Sequence, residues 1–311
     1  MTTMRALVTG GAGFIGDTLV RHLCDEGHEV VVIDDLSSSG RTKIDSRAKL
    51  IVGDIGNVKL LEKHISGKDV VFHLAALGVI SLSLKDPERA FRDNLTYGVR
   101  VLEAMRKKGV KKIVYSSSSS AYGEPLRNPV REEDRKEPIN PYGASKFTFE
   151  AALSAYAHSF GINSIALRYF NVYGPGDEQQ PVTRAVPSWI QWGLTGDRIW
   201  IHWAGKQIKD YIYVDDVARA NILAAKSKLK GFRAYNVGSG IGNKMLDIAL
   251  AIKKIIGKKL KIVDRGPRPG DPHILVADIS RIKKELGWKP KTDLETGLKR
   301  TVAYYAKRLK K

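Results

Sequence analysis

Short apolar segments alternate with amphipathic segments through the first 170 residues, and this alternation limits the chain to few folds. The apolar segments are rich in β-branched residues. Continuous apolar runs of this length are typical of strands that are buried on both faces, and helices between them supply the cover. The sequence therefore predicts an α/β fold with a doubly wound parallel sheet. The predicted strands are 6–10, 29–34, 49–54, 69–76, 111–118 and 163–170.

Three of the intervening segments carry clear helix signals. They span 14–27, 86–108 and 141–160. In the second, Asp86 precedes a proline at the first helical position and Gly109 follows the last apolar residue, which predicts a capped helix with a glycine stop.

After residue 170 the alternation becomes irregular, and proline and glycine are frequent in 171–181 and 266–272. The change predicts a domain at 1–170 and a smaller C-terminal α/β lobe at 171–311. A strand and helix within about 209–235 are expected to return to the first domain.

Composition excludes several classes of protein. There is no apolar run of membrane-spanning length, and the start does not read as a signal peptide. A single cysteine, Cys24, permits no internal disulfide and favours the cytoplasm. The net charge of +19 is spread along the chain without a zinc or RNA-binding motif. We therefore expect a lysine-rich surface and no nucleic-acid partner.

The segment GGAGFIG, residues 10–16, directly follows the first predicted strand and opens the first helix. Glycines in this context allow a tight turn and a close approach of backbone to a pyrophosphate, which predicts a Rossmann-type dinucleotide site. Asp34 ends the second strand. An acid there accepts hydrogen bonds from the hydroxyls of the adenosine ribose and repels a 2′-phosphate, so NAD is favoured over NADP. Asp17 lies beside the expected phosphates and would repel them unless its side chain points away.

Tyr142 and Lys146 lie four residues apart at the start of a predicted helix, so their side chains share one face. An ammonium beside a phenol is expected to lower the phenol pKa and to make it a proton acceptor for a substrate hydroxyl. Five consecutive serines, 116–120, end the fifth strand at the carboxyl edge, where open α/β sheets bind ligands.

These features occur together in a known family. The chain resembles the extended short-chain dehydrogenase/reductases, and most closely the NAD-dependent nucleotide-sugar epimerases, of which UDP-glucose 4-epimerase is the type. The resemblance runs from Arg5 to Trp288. It rests on ordered landmarks that include TGGAGFIG, DDLSSSG, HLAA, SSSSSAYG, YGASK, RYFNVYGPG, KDYIYVDDVA, RPGD and ADISRIKKELGW.

The resemblance implies that 1–170 is an NAD-binding Rossmann domain and that 171–311 is the lobe that binds the nucleotide sugar. It also implies a role for many single positions. Tyr142 is the implied base, Lys146 holds the nicotinamide ribose, and Ser118 bridges to the substrate hydroxyl. The implied cofactor-binding residues are Gly10, Gly13, Phe14, Ile15, Gly16, Asp34, Asp35, Asp54, Ile55, Leu74, Ala75, Ala76, Asn94, Ser116, Tyr142, Lys146 and Tyr169. The implied substrate-binding residues are Ser118, Ser120, Asn171, Lys209, Arg268 and Asp271.

Two departures from the family pattern bear on function. Lys209 stands where the family usually has arginine, so the charge is kept but the bidentate fork is lost. Ser119 and Ser120 stand where the related 4,6-dehydratases carry an Asp–Glu pair and the decarboxylases a glutamate. Without that carboxylic acid, elimination lacks its proton donor, so both activities are disfavoured.

The resemblance implies NAD-dependent 4-epimerisation of a UDP-hexose, UDP-galactose or UDP-glucose, through a 4-keto intermediate. An epimerase or reductase acting on a dTDP-, GDP- or CDP-sugar or on a UDP-N-acetylhexosamine stays open, as does a binding protein without chemistry. The resemblance also implies a homodimer formed by the helices at 86–108 and 141–160. No metal is expected, because no His or Cys spacing suits one.

Overall fold

The computed structural model describes residues 3–37, 44–177, 184–267 and 270–309. All six predicted strands are present, and more follow them. The strands are β1 (Arg5–Thr9), β2 (Glu29–Asp34), β3 (Lys49–Val52), β4 (Val70–His73), β5 (Lys112–Ser118), β6 (Asn163–Tyr169), β7 (Asn171–Tyr173), β8 (Arg198–Ile201), β9 (Ile208–Tyr213), β10 (Phe232–Val237), β11 (Gly242–Lys244), β12 (Lys261–Asp264) and β13 (Ile274–Leu275).

Helices connect the strands and cover both faces of the main sheet. They are α1 (Phe14–Asp25), α2 (Val58–Ile65), α3 (Ile80–Lys85), α4 (Pro87–Phe91), α5 (Tyr97–Lys108), α6 (Pro141–Phe160), α7 (Ala185–Thr195), α8 (Val214–Lys226), α9 (Met245–Ile256), α10 (Ser280–Leu286) and α11 (Leu294–Arg308).

The main sheet has seven strands in the order β10-β6-β5-β4-β1-β2-β3. Every neighbouring pair in it is parallel. The predicted doubly wound parallel fold is therefore confirmed. The order reverses between β1 and β4, and a sheet of this kind binds ligands outside the carboxyl ends of the strands at such a reversal.

Side chains alternate between the two faces of the sheet and build two cores. On one face, Ala6 and Val8 pack with residues of α1 and α8. On the other face, Leu7 and Ile33 pack with residues of α2, α5 and α6. Fully buried strands of this kind explain why the apolar runs in the sequence are continuous.

The helix expected at 86–108 is divided into three parts. Between α4 and α5 lies one turn of π-helix, Arg92–Thr96. Its ends agree with the sequence signals, since Asp86 accepts a 3.0 Å hydrogen bond from the Arg89 amide and Gly109 has a φ of +72°. A π turn within a helix often marks a functional position, and this one lies beside the cavity described below.

The strands after residue 170 form a second group. β9 pairs with β7, β11 and β13, and β8 pairs with β12. Their core packs against α7, α9 and α11. Two elements from this part of the chain return to the first domain: β10 joins the main sheet beside β6, and α8 packs against α1. Among the helices described, none is both long enough and apolar enough to cross a bilayer.

Candidate active site

A cavity of about 760 Å³ lies at the carboxyl ends of the main-sheet strands, where the strand order reverses. Residues that follow β1, β2, β3, β4 and β6, and the last residues of β5, line one side of it. Lys209 and Tyr211 of β9 and Met245 at the start of α9 line the other. The fold therefore places most of the predicted cofactor and substrate residues around one space.

The glycine turn forms the floor at the end of β1. Gly10 has a φ of +72°, and a Cβ there would lie 2.5 Å from the amide nitrogen of Ala75. A Cβ at Gly16 would overlap the carbonyl oxygen of Gly10. Glycine is thus required at both positions by backbone shape and close packing. Gly13, Phe14 and Ile15 line the cavity at the start of α1, where free helix amides attract phosphate.

Asp17 follows this turn without entering the cavity. Its carboxylate lies 4.0 Å from the guanidinium of Arg21, one helical turn later. It is not among the described residues that line the cavity. The Asp17 carboxylate is therefore kept out of the cavity, where it would repel the cofactor phosphates.

Asp34 ends β2 and ties it to the glycine turn. Its carboxylate accepts hydrogen bonds from the amides of Ala12 at 2.9 Å and Leu36 at 2.8 Å. Burial raises the pKa of Asp34, and these two amides oppose the rise. Asp34, the acid predicted to meet an adenosine ribose, lines the cavity, as does Asp35.

The rest of the predicted cofactor wall is continuous with these residues. Ala75 follows β4, and its amide donates a 3.0 Å hydrogen bond to the carbonyl of Thr9. The Asp54 carboxylate accepts a 2.6 Å hydrogen bond from the amide of Gly56. A long wall of glycine, small apolar residues and carboxylates fits an extended dinucleotide. Further predicted cofactor residues on this wall are Ile55, Leu74, Ala76, Ser116 and Tyr169.

Of the predicted site residues that the structure describes, two do not line the cavity. Asn94 is buried in the π turn, where it accepts a 2.7 Å hydrogen bond from the Leu77 amide and donates a 2.9 Å one to Ser145 Oγ. It therefore braces the cavity wall from behind. Ser120 lies beyond the wall, and its amide donates a 3.1 Å hydrogen bond to Ser118 Oγ.

Lys146 is one of the most buried charged groups of the site, with 2% of its surface exposed. Its ammonium donates a 2.6 Å hydrogen bond to the carbonyl of Ser116 and lies 4.7 Å from the ring centroid of Tyr115. Burial lowers the pKa of Lys146 to about 7. The lysine thus changes charge near neutral pH.

Tyr142 lies one turn before Lys146 and lines the same cavity. Burial raises the pKa of Tyr142, and the neighbouring Ser118 hydroxyl and the charge of Arg184 oppose the rise. The sequence predicts that Lys146 lowers this pKa, and this is not what the structure shows. In the structure the Lys146 ammonium is bonded to the Ser116 carbonyl, and the groups that favour the phenolate are Ser118 and Arg184.

Three predicted substrate residues gather at the opposite side of the cavity. Lys209, only 4% exposed, donates a 2.6 Å hydrogen bond to Asp271 Oδ1 and another to the carbonyl of Pro272. Asn171 donates a 2.9 Å hydrogen bond to the carbonyl of Asp210. The other predicted substrate residue of this region, Arg268, lies outside the described residues.

Sequence reasoning missed several cavity residues. Arg184 precedes α7, forms an ion pair with Asp177, and lies 5.6 Å from the ring centroid of Phe14. No motif marks it, because its segment has no regular pattern before the helix. Tyr211 also lines the cavity. It could have been found from Lys209, because residues two apart on a strand share a face.

Within the described ranges, no group of three or more His, Cys, Asp or Glu side chains is placed to hold a metal ion.

A glycine turn, a helical Tyr–Lys pair and a serine-rich strand end around one cleft define an extended short-chain dehydrogenase/reductase. More narrowly, the chain belongs to the NAD dependent epimerase/dehydratase family, whose model matches residues 6–238.

Curated and solved relatives agree with this assignment. The UDP-glucose 4-epimerase of Lacticaseibacillus casei is 37% identical, over 93% of each chain. A solved UDP-glucose 4-epimerase from Thermotoga maritima, in complex with UDP-glucose, is 37% identical with a TM-score of 0.93, over 98% of this chain and 100% of its own. A UDP-N-acetylglucosamine 4-epimerase from Methanobrevibacter ruminantium, in complex with UDP-N-acetylmuramic acid, is 34% identical with a TM-score of 0.92, over 99% and 100%.

Proposed function

We propose that this protein is an NAD-dependent epimerase that interconverts UDP-galactose and UDP-glucose by inverting C4 of the hexose. One observation carries the proposal: a single cavity joins the glycine turn and Asp34 to Tyr142 and, across it, to Lys209 and Asp271. A dinucleotide and a nucleotide sugar can therefore share one space, with the tyrosine between them. The relatives named UDP-glucose 4-epimerase support the choice of substrate.

The residues present fit NAD. NAD supplies, when bound, a hydride acceptor that makes a transient 4-keto sugar possible. Gly13 and the first amides of α1 would hold its pyrophosphate, and Asp34 its adenosine ribose. Lys146 would hold the nicotinamide ribose. We propose that residues 1–170 hold the cofactor and 171–311 most of the substrate.

Tyr142 is the proposed proton acceptor for the C4 hydroxyl. In this role the phenolate accepts the proton directly or through the hydroxyl of Ser118, and returns it when the hydroxyl is formed again. Ser118 and Arg184 favour the phenolate, whereas burial disfavours it. The same groups can serve both directions of the reaction, because epimerisation takes up and releases no net proton.

The far side of the cavity would hold the nucleotide part of the substrate. Lys209 carries a positive charge beside Asp271, and Asn171 lies on the same wall. We propose that these residues, with Arg268, contact the diphosphate and its ribose. Because both faces of the sugar must reach Tyr142, the hexose itself must be held loosely.

A UDP-N-acetylhexosamine is the second candidate substrate. The relative from Methanobrevibacter ruminantium, named for UDP-N-acetylglucosamine, has a TM-score of 0.92, close to that of the Thermotoga maritima enzyme. A reductase is disfavoured. It would exchange its cofactor with solution in each cycle and would usually use NADP, whose 2′-phosphate the Asp34 carboxylate repels.

We further propose that the protein is a cytoplasmic homodimer. Its one cysteine, Cys24, is buried and unpaired with another cysteine, which suits a reducing compartment. α5 and α6 lie side by side on the surface. Phe91 and Phe160, near the ends of this helical layer, are 38% and 42% exposed, as a helical interface would require.

The direct test is a panel of UDP-galactose, UDP-N-acetylgalactosamine and dTDP-, GDP- and CDP-hexoses, with the C4 epimer of each measured chromatographically. Cofactor carried through purification is released with acid and identified. We expect UDP-galactose to be converted and NAD to be released. Turnover of another nucleotide's hexose without conversion of either UDP-sugar would overturn the substrate, and recovery of NADP would overturn the cofactor.

A further inference from the structure

A buried ion pair lies directly behind the proposed reacting groups. The Glu150 carboxylate and the Arg168 guanidinium are 2% and 3% exposed. Arg168 donates to both carboxylate oxygens, at 2.6 and 3.0 Å. Ser117 Oγ donates a 2.5 Å hydrogen bond to the same carboxylate. The carboxylate therefore joins three elements: α6, β5 and β6.

Glu150 lies on the same face of α6 as the proposed catalytic residues. Tyr142, Lys146 and Glu150 are spaced four apart, so they form one stripe along the helix. The stripe meets consecutive residues of β5, since Lys146 bonds to the carbonyl of Ser116 and Glu150 to the hydroxyl of Ser117. Tyr142 comes next in the stripe, beside Ser118.

The other end of the ion pair holds the turn that follows Ser118. Arg168 donates a 2.7 Å hydrogen bond to the hydroxyl of Tyr122, and Tyr122 donates a 2.7 Å one to Asn236 on β10. Tyr122 ends the short 3-10 helix that begins immediately after Ser118. One guanidinium thus links the helix that carries Tyr142 to the 3-10 turn that directly follows Ser118.

Stability alone does not explain such a pair. Removing two charges from water costs free energy, and well-packed apolar side chains of similar volume often stabilise a core as well or better. The pair offers directionality, because a bidentate guanidinium fixes both distance and angle. Rates of proton and hydride chemistry depend strongly on such placement, and a shift of about 1 Å costs on the order of a hundredfold.

We propose that Glu150 is a positioning residue, which with Arg168 sets α6 along β5 so that Tyr142 and Lys146 face Ser118 correctly. This proposal rests on the function proposed above. Glu150 acts through the helix and does not line the cavity among the described residues. Its loss should therefore change the rate of the chemical step more than the binding of substrate.

The test compares Glu150→Gln with Asp216→Asn, a matched substitution at another buried carboxylate. Asp216 is 1% exposed, pairs with Arg219, and accepts 3.0 Å hydrogen bonds from the amides of Lys291 and Thr292, away from the cavity. For each variant we would measure kcat and KM for UDP-galactose, bound NAD, and the midpoint of thermal unfolding.

We expect Glu150→Gln to lower kcat by about ten- to a hundredfold with KM changed by less than about threefold. Asp216→Asn should lower the unfolding midpoint and keep kcat within about twofold. Glu150→Gln leaves the buried Arg168 guanidinium without its carboxylate partner. The double variant Glu150→Gln with Arg168→Met removes that charge, so it should regain stability without regaining kcat. Wild-type kcat in folded Glu150→Gln, or in the double variant, would overturn the proposal.

A wild-type protein that converts neither UDP-galactose nor UDP-glucose would defeat the proposed function and not this inference. Amide hydrogen exchange in residues 141–152, measured without any nucleotide, then decides. We expect faster exchange there in Glu150→Gln and wild-type exchange in Asp216→Asn. Unchanged exchange in Glu150→Gln would show that the ion pair does not fix this part of α6.

Discussion

The Lys146 ammonium donates its 2.6 Å hydrogen bond to the carbonyl of Ser116, two residues before Ser118 on the same strand. The bond ties the helix that carries Tyr142 to the end of β5. It also places a titratable charge in a buried position, because 2% of Lys146 is exposed. Because burial disfavours the charged form of Lys146, the stability of the folded protein depends on pH.

The first prediction concerns stability and pH in the cofactor-free protein. The pKa of Lys146 falls from 10.5 to about 7 through burial, so between these values the unfolded chain binds more protons than the folded one. Stability contributed by this site must then rise with pH across that window. Compared with Lys146→Met, the wild-type free energy of unfolding should gain up to about 1.4 kcal/mol per pH unit above pH 7. Urea unfolding at pH 7, 8 and 9 measures it, and a constant difference would contradict it.

The second prediction separates chemistry from cofactor binding at Tyr142. Tyr142→Phe removes the hydroxyl and keeps the ring, so the cavity wall is preserved. Epimerisation of UDP-galactose should fall by at least about a hundredfold, the usual contribution of a general base. NAD recovered per protein chain should match wild type. Retained activity would show that another group accepts the proton.

Much of the fold could be predicted because strand burial and helix caps are local signals. Asp86 and Gly109 mark the ends of their helical segment in the sequence and in the structure. The π turn between those ends could not be predicted, because no Pro or Gly interrupts the pattern there. It depends on tertiary contacts such as the Asn94 bonds to Leu77 and Ser145.

The candidate site was predicted least well where it depends on long-range contacts. Gly10 and Asp34 carry their chemistry in the sequence, since a turn and a strand end are local features. The partners of Lys209 are not local, because Asp271 lies 62 residues away. The direction in which the pKa of Tyr142 shifts could also not be predicted from the sequence, since its burial and its closeness to Arg184 both result from tertiary packing.

The third prediction uses two glycines with the same backbone conformation. Gly10 and Gly27 have φ values of +72° and +75°. A Cβ at Gly27 meets no described atom within 4 Å, whereas one at Gly10 lies 2.5 Å from the Ala75 amide nitrogen. Gly27→Ala should therefore cost about 1 kcal/mol of stability from strain alone. Gly10→Ala should cost at least about 2 kcal/mol more and lose NAD, measured by urea unfolding and cofactor release. Equal costs would show that the turn can move away from β4.

The fourth prediction concerns Lys209, whose Nζ lies 2.6 Å from Asp271 Oδ1 at the cavity wall. If this charge contacts the substrate diphosphate, Lys209→Gln removes binding that is equal in the ground and transition states. KM for UDP-galactose should then rise by about tenfold or more with kcat nearly unchanged.

Lys299 provides the control, because its ammonium also lies 2.6 Å from a carboxylate, that of Glu295, but the pair is exposed. Lys299→Gln should leave both constants at wild-type values, since an exposed pair contributes little. Lys209→Arg should keep KM near wild type if charge alone matters, and lower it if the bidentate fork adds a contact. A Lys209→Gln variant that lowers kcat and keeps KM would instead place Lys209 near the reacting carbon.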